Sequence, residues 1–293
     1  MSNRNTRRGR EPGLFIKHLK GDYSLARSYW VHNVLLGWGM AALGAYALHG
    51  IGDAHAARHA SMGLFVYLGL TVLVGIWSTT GAWMSALKHL FGRGQPLWAV
   101  AAMLTLALGA LGTMREFVKS KPALIEHWAI AQGEQPAEDF EITMVDKGRV
   151  VWFRGGINEG ASAALDKVIA DAPRVTTVLL ESPGGWMREG ERMAAVIQRY
   201  RLSTRIEAEC ASACTVAFLA GIDRTAGPEG VLGFHRGRSP GDDPRRQASD
   251  DEAEIYRKAG VPPAFVKRIL ATAHEDIWEP SHGELRAAGV LTR

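Results

Sequence analysis

Three stretches of this chain contain no Asp, Glu, Lys or Arg: about residues 29–48 (YWVHNVLLGWGMAALGAYAL), 62–83 and 97–114 (LWAVAAMLTLALGALGTM). A hydrocarbon core about 30 Å thick is crossed by about 20 consecutive apolar residues in a helix. Each window is long enough, and the spacing predicts three transmembrane helices. A cleavable signal peptide, suggested by Ala45-Tyr46-Ala47, fits the first window poorly, because the leader would be very long and two further spans follow. Three buried core helices of a soluble domain fit less well still, since uncharged runs of this length are unusual there. His32 falls near one end of the first span, where the membrane interface can hydrate it.

The charge is distributed to match. The chain carries a formal +4, which taken alone invites a nucleic-acid partner. Residues 1–28, however, hold Arg4, Arg7, Arg8, Arg10, Lys17, Lys20 and Arg27 against Glu11 and Asp22. Seven cations against two carboxylates place +5 in this tail, so everything after it sums to about −1. A basic tail ahead of an apolar span follows the positive-inside rule and suits anionic headgroups. No basic-aromatic stripe accompanies it, so the reading is a membrane partner and no nucleic acid.

The same rule orients the spans. The tail stays in the cytoplasm, the first loop (about 49–61, with Arg58 its one fixed cation) faces out, and the second, around Lys88 and Arg93, faces in. The C-terminus then lies outside, although Arg115, Lys119 and Lys121 pull weakly the other way. The expectation is a multi-pass protein of a bacterial inner membrane with a periplasmic C-terminal domain. His49, Asp53, His55 and His59 in the first loop are read as a polar loop at the headgroups rather than a metal site, and no metal or cofactor is called for. The spans lack the ionisable residues of a transport pathway and are read as an anchor.

After the third span the composition changes. Residues 115–139, broken by Pro122, Gly133 and Pro136, read as a linker with one short helix near 123–130. From about residue 140 to 293, short apolar strands alternate with amphipathic helices. Glu141–Asp146 and Arg149–Arg154 read as a hairpin about Lys147-Gly148. Asn158 is placed to cap a helix carrying Leu165, Val168 and Ile169. Val175–Leu180 reads as a strand covered on both faces. Met193, Val196, Ile197 and Tyr200 share one helix face, and Ile206, Ala208 and Cys210 share one strand face. Val231–His235 is a further short strand. Alternating units of this kind imply an α/β domain with a mainly parallel sheet and flanking helices.

Two junctions carry chemistry. Ser182-Pro183-Gly184-Gly185 closes the apolar strand, and its glycines let backbone N–H groups turn toward a ligand. Cys210-Ala211-Ser212-Ala213-Cys214 sits at the next strand-to-helix junction, where a serine hydroxyl meets the positive end of a helix. Taken singly these are an ordinary turn and an ordinary helix cap, and His235 an ordinary structural histidine.

Taken together and in order, SPGG, then ASACTVAFLAG, then GFH, the segment from Val178 to about Gly237 resembles the proteolytic subunit of the Clp protease family and its membrane-bound periplasmic relatives, within the wider crotonase-like superfamily. The resemblance covers about 140–293. It implies a serine hydrolase in which Ser212 is the nucleophile, His235 the general base, and the amides of Gly185 and Ala213 the oxyanion hole. It implies Asp276 as third member, about one residue out of step with the family spacing; Asp242, Asp243, Asp250, Asp251 and Glu275 are the other carboxylates in range. Cys210 and Cys214 bracket the serine and are read either as a disulfide formed in an oxidising compartment or as two buried free thiols. Protein or peptide substrates follow from the family, and a homo-oligomer is among the partners it allows.

The chain also departs from that family, whose members are soluble stacked rings fed by an ATP-driven unfoldase. Here there are membrane spans, no nucleotide-binding signature, and a shorter segment between Gly237 and Ala273. ATP dependence and a double ring are therefore not inferred. Three rivals remain: a non-catalytic interaction module, a crotonase-type acyl-CoA enzyme, and a Ser-Lys dyad using Lys258 or Lys267. Coenzyme A is not supplied outside the cytoplasm, and neither lysine sits in a matching motif.

Overall fold

The computed structural model describes residues 13–54, 57–92, 95–238 and 250–293, without the side chains of 47–54 and 250. The cations Arg4, Arg7, Arg8, Arg10 and Arg93, the loop residue His55, and the carboxylates Asp242 and Asp243 lie outside the described residues. The side chains of His49, Asp53 and Asp250 lie outside them as well. The chain divides after Gln132 into two compact units.

The first unit is helical. α1 (Leu14–Leu19) is followed by a π-helical segment, Arg27–Leu35, that runs into α2 (Leu36–Ala54). α3 spans Ala57–Phe91 and α4 spans Pro96–Gln132. Two of the three expected spans, those within α3 and α4, belong to helices long and apolar enough to cross a membrane. The first is divided between the π-helical segment and α2 and does not form one such helix among the described residues.

The packing of α3 and α4 reverses that of a water-soluble bundle. Buried positions of α3 are small or polar (Ser61, Ser78, Gly81, Ala82, Ser85, Ala86), and α4 buries Ala99, Ala102 and Ala131 beside the larger Leu106 and Ile130. Leu70, Val72, Leu73, Ile76, Leu104, Leu108 and Leu111 are instead exposed. Small residues at the contact and large apolar ones outside are what helices adopt when the solvent is lipid.

Residues 13–28 fold back on α3 as a hook. The Trp77 indole N–H donates to the Phe15 carbonyl at 3.3 Å, and Lys88 pairs with Asp22 at 2.6 Å. His18 is wholly buried, with Nε2 at 3.2 Å from the Ser78 carbonyl and Nδ1 at 3.0 Å from His32 Nδ1. His32 is therefore satisfied by a protein partner, where the sequence suggested interfacial water. Gly81 is required here because its missing side chain leaves room for the His18 ring.

The linker expectation is corrected for 115–132. α4 continues unbroken through Pro122 to Gln132, instead of ending in a loop and a separate short helix. Proline removes one backbone donor from a helix but does not by itself end it when both flanking segments favour helix. Leu124, Ile125, Trp128 and Ile130 restart an apolar pattern on its far side.

The second unit is a mixed α/β sheet with flanking helices. β1 (Glu141–Val145) and β2 (Val150–Arg154) form the expected antiparallel hairpin around a 3-10 turn, Asp146–Gly148. α5 (Ala161–Ala170), β3 (Thr177–Ser182), α6 (Met187–Arg199), β4 (Ser203–Ala211) and α7 (Ala213–Leu219) follow. β5 (Arg224–Ala226) and β6 (Val231–Gly233) precede α8 (Asp250–Lys258), α9 (Pro263–Ala271) and α10 (His282–Ala287). The order is β1-β2-β3-β4-β5, with β6 also on β4, and every pairing after the first is parallel. An irregularity opposite Leu180–Ser182 divides β4, so that its first half pairs with β5 and its second with β6. Val151, Phe153, Val178, Leu180, Ile206 and Leu232 fill the sheet's interior against Leu165, Met193, Ile197 and Phe218.

Two local expectations are also corrected. Asn158 does not cap α5; its amide donates to the carbonyls of Ala137 and Glu138, at 3.0 and 2.8 Å, and Gly160 takes the cap position. The third strand begins two residues later than read, because the Val175 N–H closes a turn onto Ala172.

Candidate active site

β3 and β4 are parallel neighbours, so the turns that follow them emerge together at the carboxyl edge of the sheet. This is where α/β folds gather ligand-binding groups. The β3 turn is Pro183-Gly184-Gly185, with φ +105° at Gly184 and +149° at Gly185. Backbone and space both demand glycine. A Cβ on Gly184 would stand 2.6 Å from Ser212 Cβ and 2.8 Å from the Ala211 carbonyl, and one on Gly185 would run into the Ile157 carbonyl. The turn is fixed by the Ile157 N–H donating to Gly184 O at 2.7 Å and the Trp186 N–H donating to Ile157 O at 2.9 Å.

The β4 turn is Ser212 itself, at φ +53°, ψ −125°. A side chain larger than glycine in that region costs about 1–3 kcal/mol, and such strain persists where the surroundings over-determine it. Here they do. The Ser212 N–H donates to Gly233 O at 2.9 Å, and its carbonyl accepts from the Thr215 N–H at 2.9 Å and from Thr215 Oγ1 at 2.7 Å. Cys210 and Cys214 close around it, sulfur to sulfur at 2.02 Å with Cα atoms 5.3 Å apart. The helix that begins at Ala213 is wholly buried along its length, so its unsatisfied N-terminal amides face the serine rather than bulk water. The N–H groups of Ala213 and Gly185 bond to none of the described residues.

His235 arrives from β6. Because Ala211 pairs with Gly233, Ser212 and His235 follow that pairing by one and two residues at the same sheet edge. The imidazole is 6 % exposed, and its Nδ1 is enclosed with no hydrogen-bond partner. Burial lowers its pKa to about 4; the neighbouring His274 lowers it further, while the Arg236 carbonyl and Glu275 pull upward. That carbonyl lies near the ring but outside hydrogen-bonding geometry for Nδ1. An enclosed nitrogen left unpaired costs about 1–3 kcal/mol.

Asp276 does not join this pair. Phe234 and Trp278 exchange both backbone hydrogen bonds at 2.9 Å as an isolated antiparallel bridge. Counting out from that bridge sets Ile277 opposite His235, and Ile277 Cγ2 would lie 2.8 Å from a Cβ on Gly233, the residue two before His235. Asp276 lies short of that bridge in a turn, where its N–H donates to the Ala273 carbonyl at 3.1 Å, and it is exposed. Among the described residues it makes no side-chain hydrogen bond to His235, and Ser212 Oγ makes none either. The structure thus gathers Ser212, Ala213, Gly185, His235 and the two cysteines, and leaves Asp276 aside.

Sequence reasoning passed over two residues at this edge. His274 lies against His235 with ring centroids 4.6 Å apart. Glu252, nearly buried, accepts from the Gly237 N–H at 2.6 Å and so pins the chain just after His235; burial holds its carboxyl above the usual range. No sequence motif marks either residue, because both reach the site through tertiary packing of the C-terminal helices. Among the described residues no cluster of three or more His, Cys, Asp or Glu is arranged to hold a metal.

No family model and no curated protein matches the chain. Solved structures that it resembles include ClpP1 from Listeria monocytogenes and a point mutant of that protein, each 15 % identical with a TM-score of 0.40. The likeness covers 50 % of this chain and about nine tenths of each of those chains (90 % for the mutant, 89 % for the other).

Proposed function

We propose that the chain is a membrane-anchored serine hydrolase that cleaves protein or peptide substrates outside the cytoplasm, without ATP, through Ser212 and His235. The observation that carries this reading is the backbone of Ser212: a non-glycine residue at φ +53°, between a glycine turn that tolerates no side chain and two free amides.

The chemistry follows from the placement. His235 Nε2 takes the hydroxyl proton as Ser212 Oγ attacks a substrate carbonyl carbon. The carbonyl π electrons move to oxygen, and the N–H groups of Gly185 and Ala213 receive that oxyanion. Collapse breaks the bond to the leaving amine, which departs with the proton held by His235. Water, deprotonated in turn by His235, then frees the acyl group from Ser212. The anchor rests on the apolar spans and their lipid-type packing, and the outward placement on the cationic tail and the paired cysteines. A homo-oligomer is part of the same proposal.

A second reading is a catalytically inactive interaction module on the same scaffold. It is favoured by the missing hydrogen bond between Ser212 and His235 and by the unpaired Nδ1. The full chain in detergent micelles, treated with a fluorophosphonate probe beside Ser212→Ala and His235→Ala, separates the two. Modification at Ser212 that both substitutions abolish supports the hydrolase. A folded, oxidised protein that stays unmodified supports the module.

A further inference from the structure

We propose that His274, rather than any carboxylate, is the positioning residue for His235, an inference that rests on reading Ser212 and His235 as nucleophile and base. The atoms fix the proton positions. His274 Nδ1 lies 3.3 Å from the Arg236 carbonyl oxygen, which can only accept. A neutral His274 therefore carries its proton on Nδ1 and leaves a lone pair on Nε2. The neighbouring ring is His235, tilted by 52° with its Nδ1 enclosed and unpaired. In the proposed pairing the two rings turn so that His235 Nδ1–H meets His274 Nε2, which sets the His235 tautomer and leaves its Nε2 lone pair free for the Ser212 proton. The relay then runs Ser212 Oγ–H to His235 Nε2, His235 Nδ1–H to His274 Nε2, and His274 Nδ1–H to Arg236 O. Every donor meets an acceptor.

The charged groups around His235 leave this role open. Asp276 is exposed and makes no hydrogen bond to His235, and Glu275, also exposed, acts on His235 through charge alone. The Arg236 carbonyl is already engaged by His274. A neutral imidazole aligns the base as a carboxylate would, but gives the imidazolium formed during turnover no countercharge. This arrangement suits a slow hydrolase.

The test uses the full chain in detergent micelles and follows the rate of fluorophosphonate modification at Ser212 across pH. His274→Ala should slow it by at least about 100-fold, since loss of the correct base tautomer in a serine triad costs up to about 10⁴. His274→Glu should restore modification and move the acid limb of the profile to higher pH, because a carboxylate favours the charged imidazole. Asp276→Asn should stay within about 3-fold of the wild type. A loss in Asp276→Asn with His274→Ala unaffected would overturn the proposal, as would a wild-type profile in His274→Ala, which would leave the Arg236 carbonyl sufficient. Two-bond ¹H–¹⁵N spectra of histidine-labelled chain read the tautomers without activity. His274 protonated on Nδ1, with a His235 signal that changes in His274→Gln, supports the pairing even if Ser212 proves unreactive. His274 protonated on Nε2 excludes it. A wild type that is never modified thus sinks the hydrolase reading, while the spectra still decide the pairing.

Discussion

The backbone N–H of Ser212 donates to the carbonyl of Gly233 at 2.9 Å, two residues before His235. One hydrogen bond thus ties the turn that presents the hydroxyl to the strand that delivers the imidazole. Register alone brings them to one edge: β6 pairs with the second half of β4, and that half exists as a separate pairing segment because β4 is irregular opposite Leu180–Ser182.

The pH response of the site should reflect a base held neutral. With the His235 pKa depressed to about 4, modification of Ser212 should be flat from neutral pH down to about pH 5 and fall only as pH approaches 4. Stability responds at a higher pH. The unfolded chain takes up a proton near pH 6.5 that the folded chain refuses, so the contribution of His235 is complete above that pH. It is lost progressively as pH falls from about 6.5 to about 4, by an amount on the order of 3 kcal/mol in all. A modification profile with its midpoint near 6.5 would contradict the buried geometry.

Gly184→Ala should cripple the site without replacing a catalytic residue. The added methyl meets Ser212 Cβ at 2.6 Å and must be held at φ +105°. A destabilisation of about 2 kcal/mol or more is expected, together with a fall of about 100-fold in Ser212 modification as the hydroxyl is displaced. Wild-type reactivity in this variant would show that the two turns are not coupled.

Two inactive variants of Ser212 should differ in stability. Ser212→Ala keeps the Cβ and with it the strain at φ +53°, whereas Ser212→Gly relieves it. Side by side in urea unfolding, the glycine variant should be the more stable by about 1 kcal/mol. The reverse order would mean that the turn is not strained.

The cysteines should resist alkylation until reduced. Maleimide should leave the native chain unmodified and add twice after reduction, at Cys210 and Cys214. Closing so short a ring is worth about 2 kcal/mol in the chain-entropy account, and Cys214→Ser should lose about that much. Two modifications without reductant would place the thiols free in the cell.

The sheet was legible in the sequence because strand and helix periods alternate cleanly from Glu141 to Gly233; only boundaries slipped, as at β3, whose first residues are spent on a turn. β5 and α10 were not read: Arg224–Ala226 is three residues long, and α10 announces itself only through the Ser281–Glu284 capping box. Ser212, His235 and the glycine turn were legible because local motifs carry them. The neighbour of His235 was not, because His274 reaches the ring from the turn at 273–276, which no local motif marks. The linker reading failed at Pro122, where a helix breaker in sequence lies inside a continuous helix of 37 residues.

The seam of α3, with Gly81 beneath the His18 ring, Ser85 bonded to Ser28 and to the Tyr23 carbonyl, and Ala82 and Ala86 buried beside them in sequence, sets unequal freedoms for descent with change. In the proposed membrane setting one large apolar residue on the exposed face serves as well as another, so Leu70, Leu73 and Ile76 would be free to exchange identities over time. The seam has no such latitude, since anything larger than what is there expels the hook. If the proposed anchor is right, descendants of this chain should keep the smallest residues of the helical unit and trade its largest, the inverse of what a water-soluble core preserves.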